Sequence, residues 1–122
     1  MINLKKTDWV IEKIEQEIKR HESSGKKPTV AILGLSYKPD IDDLRESPSV
    51  EIYKHMCVKH QLIAVEPNIE TLSGFTLMSF EESARIADIF VYLVPHKDFS
   101  GTHKKLGNKT VLDFCGLTRQ TV

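Results

Sequence analysis

The run Gly34-Leu35-Ser36-Tyr37-Lys38-Pro39-Asp40-Ile41-Asp42-Asp43-Leu44-Arg45-Glu46-Ser47-Pro48 concentrates the side chains of this chain that can do chemistry. Lys38 is a compact cation on a flexible stem, suited to a phosphate or sugar oxygen, or else to a surface pair with Asp40 or Asp42. Arg45 carries a planar fork that either grips a ligand or locks the segment onto Asp42 or Asp43; a long loop that must hold one shape favours the lock. Ser47-Pro48 reads as the N-cap and first position of a helix, where free N–H groups and the positive dipole end attract anions, and Ser49 adds a hydroxyl. A plain strand-to-helix connection takes about 2–6 residues. This one is far longer and dense in charge, so it is expected to hold a ligand as well as join two elements.

Other groups point less clearly to chemistry. The histidines show no metal-ligand spacing: His55 and His60 do not share a helix face, and His96 and His103 flank a loop. Each is expected to be an ordinary surface or cap residue. Cys57 and Cys115 lie far apart and read as reduced thiols, Cys57 facing inward from an amphipathic helix and Cys115 following a strand. Neither reads as an activated nucleophile paired with an acid/base group, so no catalytic residue and no metal ligand is assigned. Glu66 ends a strand at the position where dinucleotide folds hold a ribose. The G-x-G-x-x-G that brings backbone onto a pyrophosphate is missing, because Leu35-Ser36-Tyr37 follows Gly34 and no glycine recurs before Gly74. Glu66 therefore reads as structural or interdomain.

The elements that must position these residues follow from periodicity. Ile11, Ile14 and Ile18, with Trp9 and Val10, predict a helix from Thr7 or Asp8 to about Glu22. Thr29–Leu33 is short, apolar and β-branched, a strand buried on both faces. A helix from Pro48 to about Lys59 would turn Val50, Tyr53, Met56 and Cys57 inward. Leu62–Val65 is a second strand, Leu77-Met78 a short third, and Ser79 with Glu82 a capping box for a helix to about Ala87. Ile89–Val94 is a fourth strand, followed by a weak helix near Thr102–Leu106 and a last strand at Thr110–Asp113. Alternation of strands and helices predicts an α/β, three-layer Rossmann-like domain with a parallel sheet of about five strands, preceded by an N-terminal helix.

The chain has 122 residues, enough for one domain with a core of its own. Its 17 Lys and Arg balance 17 Asp and Glu, which argues against nucleic acid or an anionic membrane as partner. No stretch approaches the ~20 apolar residues of a membrane span, and the N-terminus lacks a signal-peptide core, so a cytoplasmic location is expected.

The Gly34–Pro48 segment also resembles the loop that opens the C-terminal, UDP-binding domain of the UDP-glucose/GDP-mannose dehydrogenase family: a strand, G-x-(A/S)-(F/Y)-K, an acidic stretch, then R-E-S-P leading into a helix. Gly34, Ser36, Tyr37, Lys38, Asp43, Arg45, Glu46, Ser47 and Pro48 stand at matching positions, supported by K-T-D-W-V at Lys6 to Val10 and V-E-P-N at Val65 to Asn68. The K-P-D-I-D-D-L-R-E-S-P wording is most similar to the branch that oxidises UDP-N-acetylmannosamine. The resemblance implies a linker helix over residues 1–28 and a UDP-binding domain over residues 29–122. It implies UDP-sugar contacts from Tyr37, Lys38, Arg45, Ser47 and Ser49, with Tyr37 stacking on uracil or meeting the sugar, unless it simply packs.

The family oxidises a sugar C6 alcohol to a carboxylate in two NAD-dependent hydride steps, through a cysteine in a G-G-x-C-x-P-K-D loop. Neither Cys57, in H-M-C-V-K-H, nor Cys115, in D-F-C-G-L, matches that loop. The implied function is therefore a UDP-recognising domain cut from a longer dehydrogenase and inactive alone. It would bind no cofactor itself, with NAD held by the NAD-binding domain of the parent enzyme beside its central catalytic domain. An apolar face of the first helix leaves a homodimer open. One departure stands out: Cys115 occupies the place of a basic residue expected after Asp113, and Arg119 is the nearest substitute. The alternatives are a stand-alone regulatory α/β domain of the receiver type, whose acidic pair, phosphoacceptor and lysine are all missing, or a folded remnant without a ligand.

Overall fold

The computed structural model describes residues 4–36, 44 and 47–116. Tyr37, Lys38, Arg45 and Arg119 lie outside the described residues. The elements run α1 (Leu4–Glu22), β1 (Thr29–Leu33), α2 (Pro48–Met56), β2 (Gln61–Val65), α3 (Phe80–Ile86), β3 (Ile89–Tyr92), two 3-10 turns (Lys97–Phe99 and Thr102–Lys105) and β4 (Thr110–Asp113). All strand pairs are parallel, in the order β2-β1-β3-β4. The chain thus leaves β1 for one neighbour through α2 and returns across it to the other through α3. The carboxyl ends of β1 and β3 part at this switch point, where open α/β sheets form their ligand crevice.

Period-2 alternation divides the sheet between two cores. Val30, Ile32, Leu62, Ala64, Ile89 and Val91 pack beneath α1 and α2, against Val10, Ile14, Ile18, Ile52, Tyr53 and Met56. On the other face Ala31, Leu33, Ile63, Val65, Phe90 and Tyr92 meet Phe80, Ala87, Phe99 and Leu106. Burial of each large aliphatic side chain is worth about 1.5–3 kcal/mol, so α1, which buries Val10, Ile14 and Ile18 in the first core, is anchored to the sheet. The expected three-layer α/β architecture is what the chain forms.

The sheet has four strands among the described residues where about five are expected. Leu77 makes only an isolated bridge with Ala64. Ala64 donates to Thr76 O at 2.8 Å and accepts from Met78 N at 3.0 Å, but the turn before Thr76 and the Ser79 cap leave no length for a ladder. The α2 helix stops at Met56, earlier than its apolar spacing suggests, and Cys57 as its C-cap is exposed, not inward-facing. Trp9 also points outward, 49% exposed, with its ring edge-on to Phe114 at 5.5 Å.

Candidate functional site

Three strand ends converge on Gly34. Its N–H continues the ladder to Val65 O at 2.9 Å, while Leu93 N and Val94 N bond to Leu33 O at 3.0 and 3.4 Å. Gly34 has φ +103°, and a Cβ there would lie 2.6 Å from Val94 Cβ. Only glycine permits both the left-handed backbone and this close approach. The chain can therefore turn out of β1 directly over the end of β3.

The next residue is the junction of the site. Leu35 N–H donates to Glu66 Oε1 at 2.8 Å, and Leu35 C=O accepts from Ser47 Oγ at 2.5 Å. Ser47 is the N-cap of α2, its hydroxyl also accepting from Val50 N at 3.4 Å, and Pro48 follows at the first helical position as expected. Both ends of the charged segment are thereby tied to one buried residue, beside the positive end of a helix. Ser47 and Ser49 are both buried.

Glu66 is buried, with both carboxylate oxygens in use. Oε1 accepts from Leu35 N, Ser36 N at 3.1 Å and His96 Nε2 at 2.9 Å; Oε2 accepts from Asn68 N at 3.1 Å and Asn68 Nδ2 at 3.2 Å. Burial pushes the carboxyl pKa up, but the His96, Leu35 and Asn68 hydrogen bonds outweigh it and hold the group below its ordinary value. A ribose-binding acid must keep its oxygens free for a 2′-hydroxyl. With Glu66 fully engaged and no second glycine in the turn, these residues do not fit a dinucleotide. The structural reading of Glu66 agrees with this geometry.

His96, expected to be a surface or cap residue, stands at the N-cap position of the first 3-10 turn but is fully buried and makes no side-chain cap bond: its Nε2 lies 3.2 Å from Ser36 Oγ as well as beside Glu66, and its ring packs edge-on to Phe99 at 5.4 Å. No local pattern marks it. After β4, Asp113 Oδ1 accepts from Cys115 N at 3.1 Å and Gly116 N at 2.9 Å, forming a tight turn with Cys115 half-buried.

A cavity of about 560 Å³ opens beside the end of β2, floored by Val65, Phe80 and Phe99 and rimmed by Glu70, Glu81, Asp98 and Lys105. Among the described lining residues carboxylates outnumber the one lysine, the wrong sign for a phosphate. The N-terminus of α2 at Ser47 has the opposite sign. Among the described residues no His, Cys, Asp and Glu group could hold a metal ion. No described helix is long and apolar enough to cross a membrane.

Comparison with known proteins agrees with this topology. The chain is 37% identical over 124 residues to an NDP-N-acetyl-D-galactosaminuronic acid dehydrogenase of Ralstonia solanacearum, covering 95% of this chain and 28% of the relative. It is 35% identical over 123 residues to a UDP-N-acetyl-D-mannosamine dehydrogenase of Campylobacter jejuni, covering 93% and 28%. The chain thus spans 28% of the length of these relatives. Among solved structures, a UDP-N-acetyl-mannosamine dehydrogenase from S. aureus superposes with a TM-score of 0.75 at 24% identity, over 91% of this chain and 27% of that one, and shows the same fold. An NDP-N-acetyl-D-galactosaminuronic acid dehydrogenase from Methanosarcina mazei superposes with a TM-score of 0.65 at 28% identity, over 84% and 24%. Residues 31–120 match the UDP binding domain of the UDP-glucose/GDP-mannose dehydrogenase family, and with the parallel sheet and strand-end crevice in place the chain belongs to that family.

Proposed function

We propose that this domain grips the uridine diphosphate half of a nucleotide sugar inside a longer NAD-dependent 6-dehydrogenase, with UDP-N-acetylmannosamine and its uronic acid product as substrate pair. The observation that carries this reading is the junction at Leu35. Both ends of the family's ligand segment are pinned there, at the switch point and beside the α2 N-terminus. In this reading Tyr37, Lys38 and Arg45 supply the ligand contacts, and Ser47 and Ser49 form the first helical turn that faces the phosphates. The names of the R. solanacearum and C. jejuni relatives favour an N-acetylated sugar.

In this reading hydride transfer and the nucleophile belong to other parts of the longer enzyme, since Glu66 is unavailable to a dinucleotide and neither cysteine lies in the family's G-G-x-C-x-P-K-D loop. Binding energy collected on the diphosphate serves to place the reacting C6 in those other parts of the enzyme. We place the domain in the cytoplasm, with residues 1–28 as the linker helix and 29–122 as the binding domain. The half-exposed Trp9 marks a face available to the NAD-binding and central catalytic domains, or to a second copy in a homodimer.

Titration of the isotope-labelled chain with UDP tests the reading. Saturable amide shifts are expected at Tyr37, Lys38 and Ser47 to Val50; an unchanged spectrum at millimolar UDP overturns binding by this domain alone. Cys115 favours a second reading, a remnant whose diphosphate contact is lost. If Cys115→Arg binds UDP where the native chain does not, the remnant is correct.

A further inference from the structure

Glu66 carries a buried negative charge with no Lys or Arg among its described partners. Five N–H donors converge on it instead: three from the backbone at Leu35, Ser36 and Asn68, one from the Asn68 amide and one from His96. An ionised carboxylate can only accept, so His96 Nε2 must carry its hydrogen. The other ring nitrogen, Nδ1, faces Asn68 Nδ2, a donor, at 3.5 Å.

The cluster joins the segments that follow β1, β2 and β3: Leu35 and Ser36 from the first, Glu66 and Asn68 from the second, His96 from the third. The cluster contributes to stability, since an apolar group at the end of β2 would leave the N–H groups of Leu35, Ser36 and Asn68 without this acceptor. What a charge adds is direction, because each of its donors must arrive from a fixed side. The donors fixed here include the N–H of Leu35 and of Ser36, the two residues that follow Gly34 at the start of the ligand segment.

We propose that Glu66 and His96 are positioning residues of the ligand site: their buried clasp sets Leu35 and Ser36, and through Leu35 the Ser47 cap, so that both described ends of the Gly34–Pro48 segment are held in one geometry. This rests on the uridine diphosphate reading above. The clasp touches no ligand and acts through backbone. His96→Gln retains an N–H able to reach Glu66, while His96→Phe keeps the ring and its packing on Phe99 but has no donor. A packing role predicts that the phenylalanine variant is the better tolerated; a positioning role predicts the reverse.

The test uses the full chain with three readouts: thermal unfolding, amide hydrogen exchange at Leu35 and Ser36, and titration with UDP. For His96→Phe and Glu66→Gln, faster exchange at both amides and about tenfold weaker UDP binding are expected, the loss of one hydrogen bond to a charged group. His96→Gln should stay within about threefold of the native chain, on the same scale. Native UDP affinity in His96→Phe alongside lost Leu35 and Ser36 protection overturns positioning while leaving the UDP reading intact. Unchanged protection in both disruptive variants overturns the clasp itself. A native chain that ignores UDP overturns binding by this domain alone and with it the role in UDP binding, and lost amide protection in the variants would then support only an ordering role at the segment's root.

Discussion

The Ser47 hydroxyl donates to the Leu35 carbonyl at 2.5 Å, joining two residues twelve apart across the mouth of the charged Gly34–Pro48 segment. One side chain thereby caps a helix and closes a loop. Replacing Ser47 by alanine removes both functions and leaves a buried carbonyl without this donor. Ser47→Ala should cost about 2–3 kcal/mol, against about 1 kcal/mol for the exposed cap Ser79→Ala, where only the helix loses. Urea unfolding of the two variants side by side checks this; equal losses would mean that the Leu35 contact contributes nothing.

Gly34 fails as alanine for two separable reasons. Its φ of +103° strains any Cβ, and that Cβ would stand 2.6 Å from Val94 Cβ and 2.9 Å from Val94 N. Gly34→Ala should lose about 2–4 kcal/mol from strain and overpacking together. Adding Val94→Ala should recover only part of it, because the nearby Val94 nitrogen is backbone and stays in place. A double-mutant cycle in chemical denaturation measures the coupling.

The pH dependence follows from Glu66. Its pKa in the folded protein lies below the ordinary 4.5, because the hydrogen bonds it accepts outweigh its burial. A depressed carboxyl pKa contributes stability that is fully present above about pH 4.5 and is lost as the pH falls through the folded value. Glu66→Gln should be less stable at neutral pH by about 2–3 kcal/mol, and its stability should change less on acidification below that point. Unfolding midpoints from pH 7 to pH 3 decide it: parallel native and variant curves would rule Glu66 out as a source of the acid sensitivity.

Lys109 sits at the other end of the sheet and caps α3. Its Nζ donates to Ala84 O at 2.5 Å and Ala87 O at 2.9 Å, and lies 5.6 Å from the Phe90 ring centroid. Cations at a helix C-terminus satisfy its last carbonyls and oppose the dipole. Lys109→Met keeps the stem and removes the charge, and should cost about 1–2 kcal/mol without altering UDP binding, since the ligand segment lies at the opposite strand ends. Thermal unfolding and a UDP titration of the same sample separate the two effects.

Much of this protein is local and so was legible in the amino-acid order. Strands Thr29–Leu33 and Thr110–Asp113 follow from short apolar, β-branched runs, and the Ser47-Pro48 and Ser79 helix starts follow from capping chemistry that needs only a few neighbouring residues. The charged Gly34–Pro48 segment could be singled out because its length and composition exceed what a connection needs. The end of α2 and the state of Leu77 were less readable, since apolar spacing marks which residues favour burial but not where the chain must turn. The tertiary structure alone decided that His96 is buried and that Glu66 holds the N–H groups of Leu35 and Ser36. His96 and Glu66 are thirty residues apart, and His96 and Ser36 sixty. They meet only because β1 lies between β2 and β3 in parallel register, an arrangement set by packing both faces of the sheet and written in no single stretch of sequence.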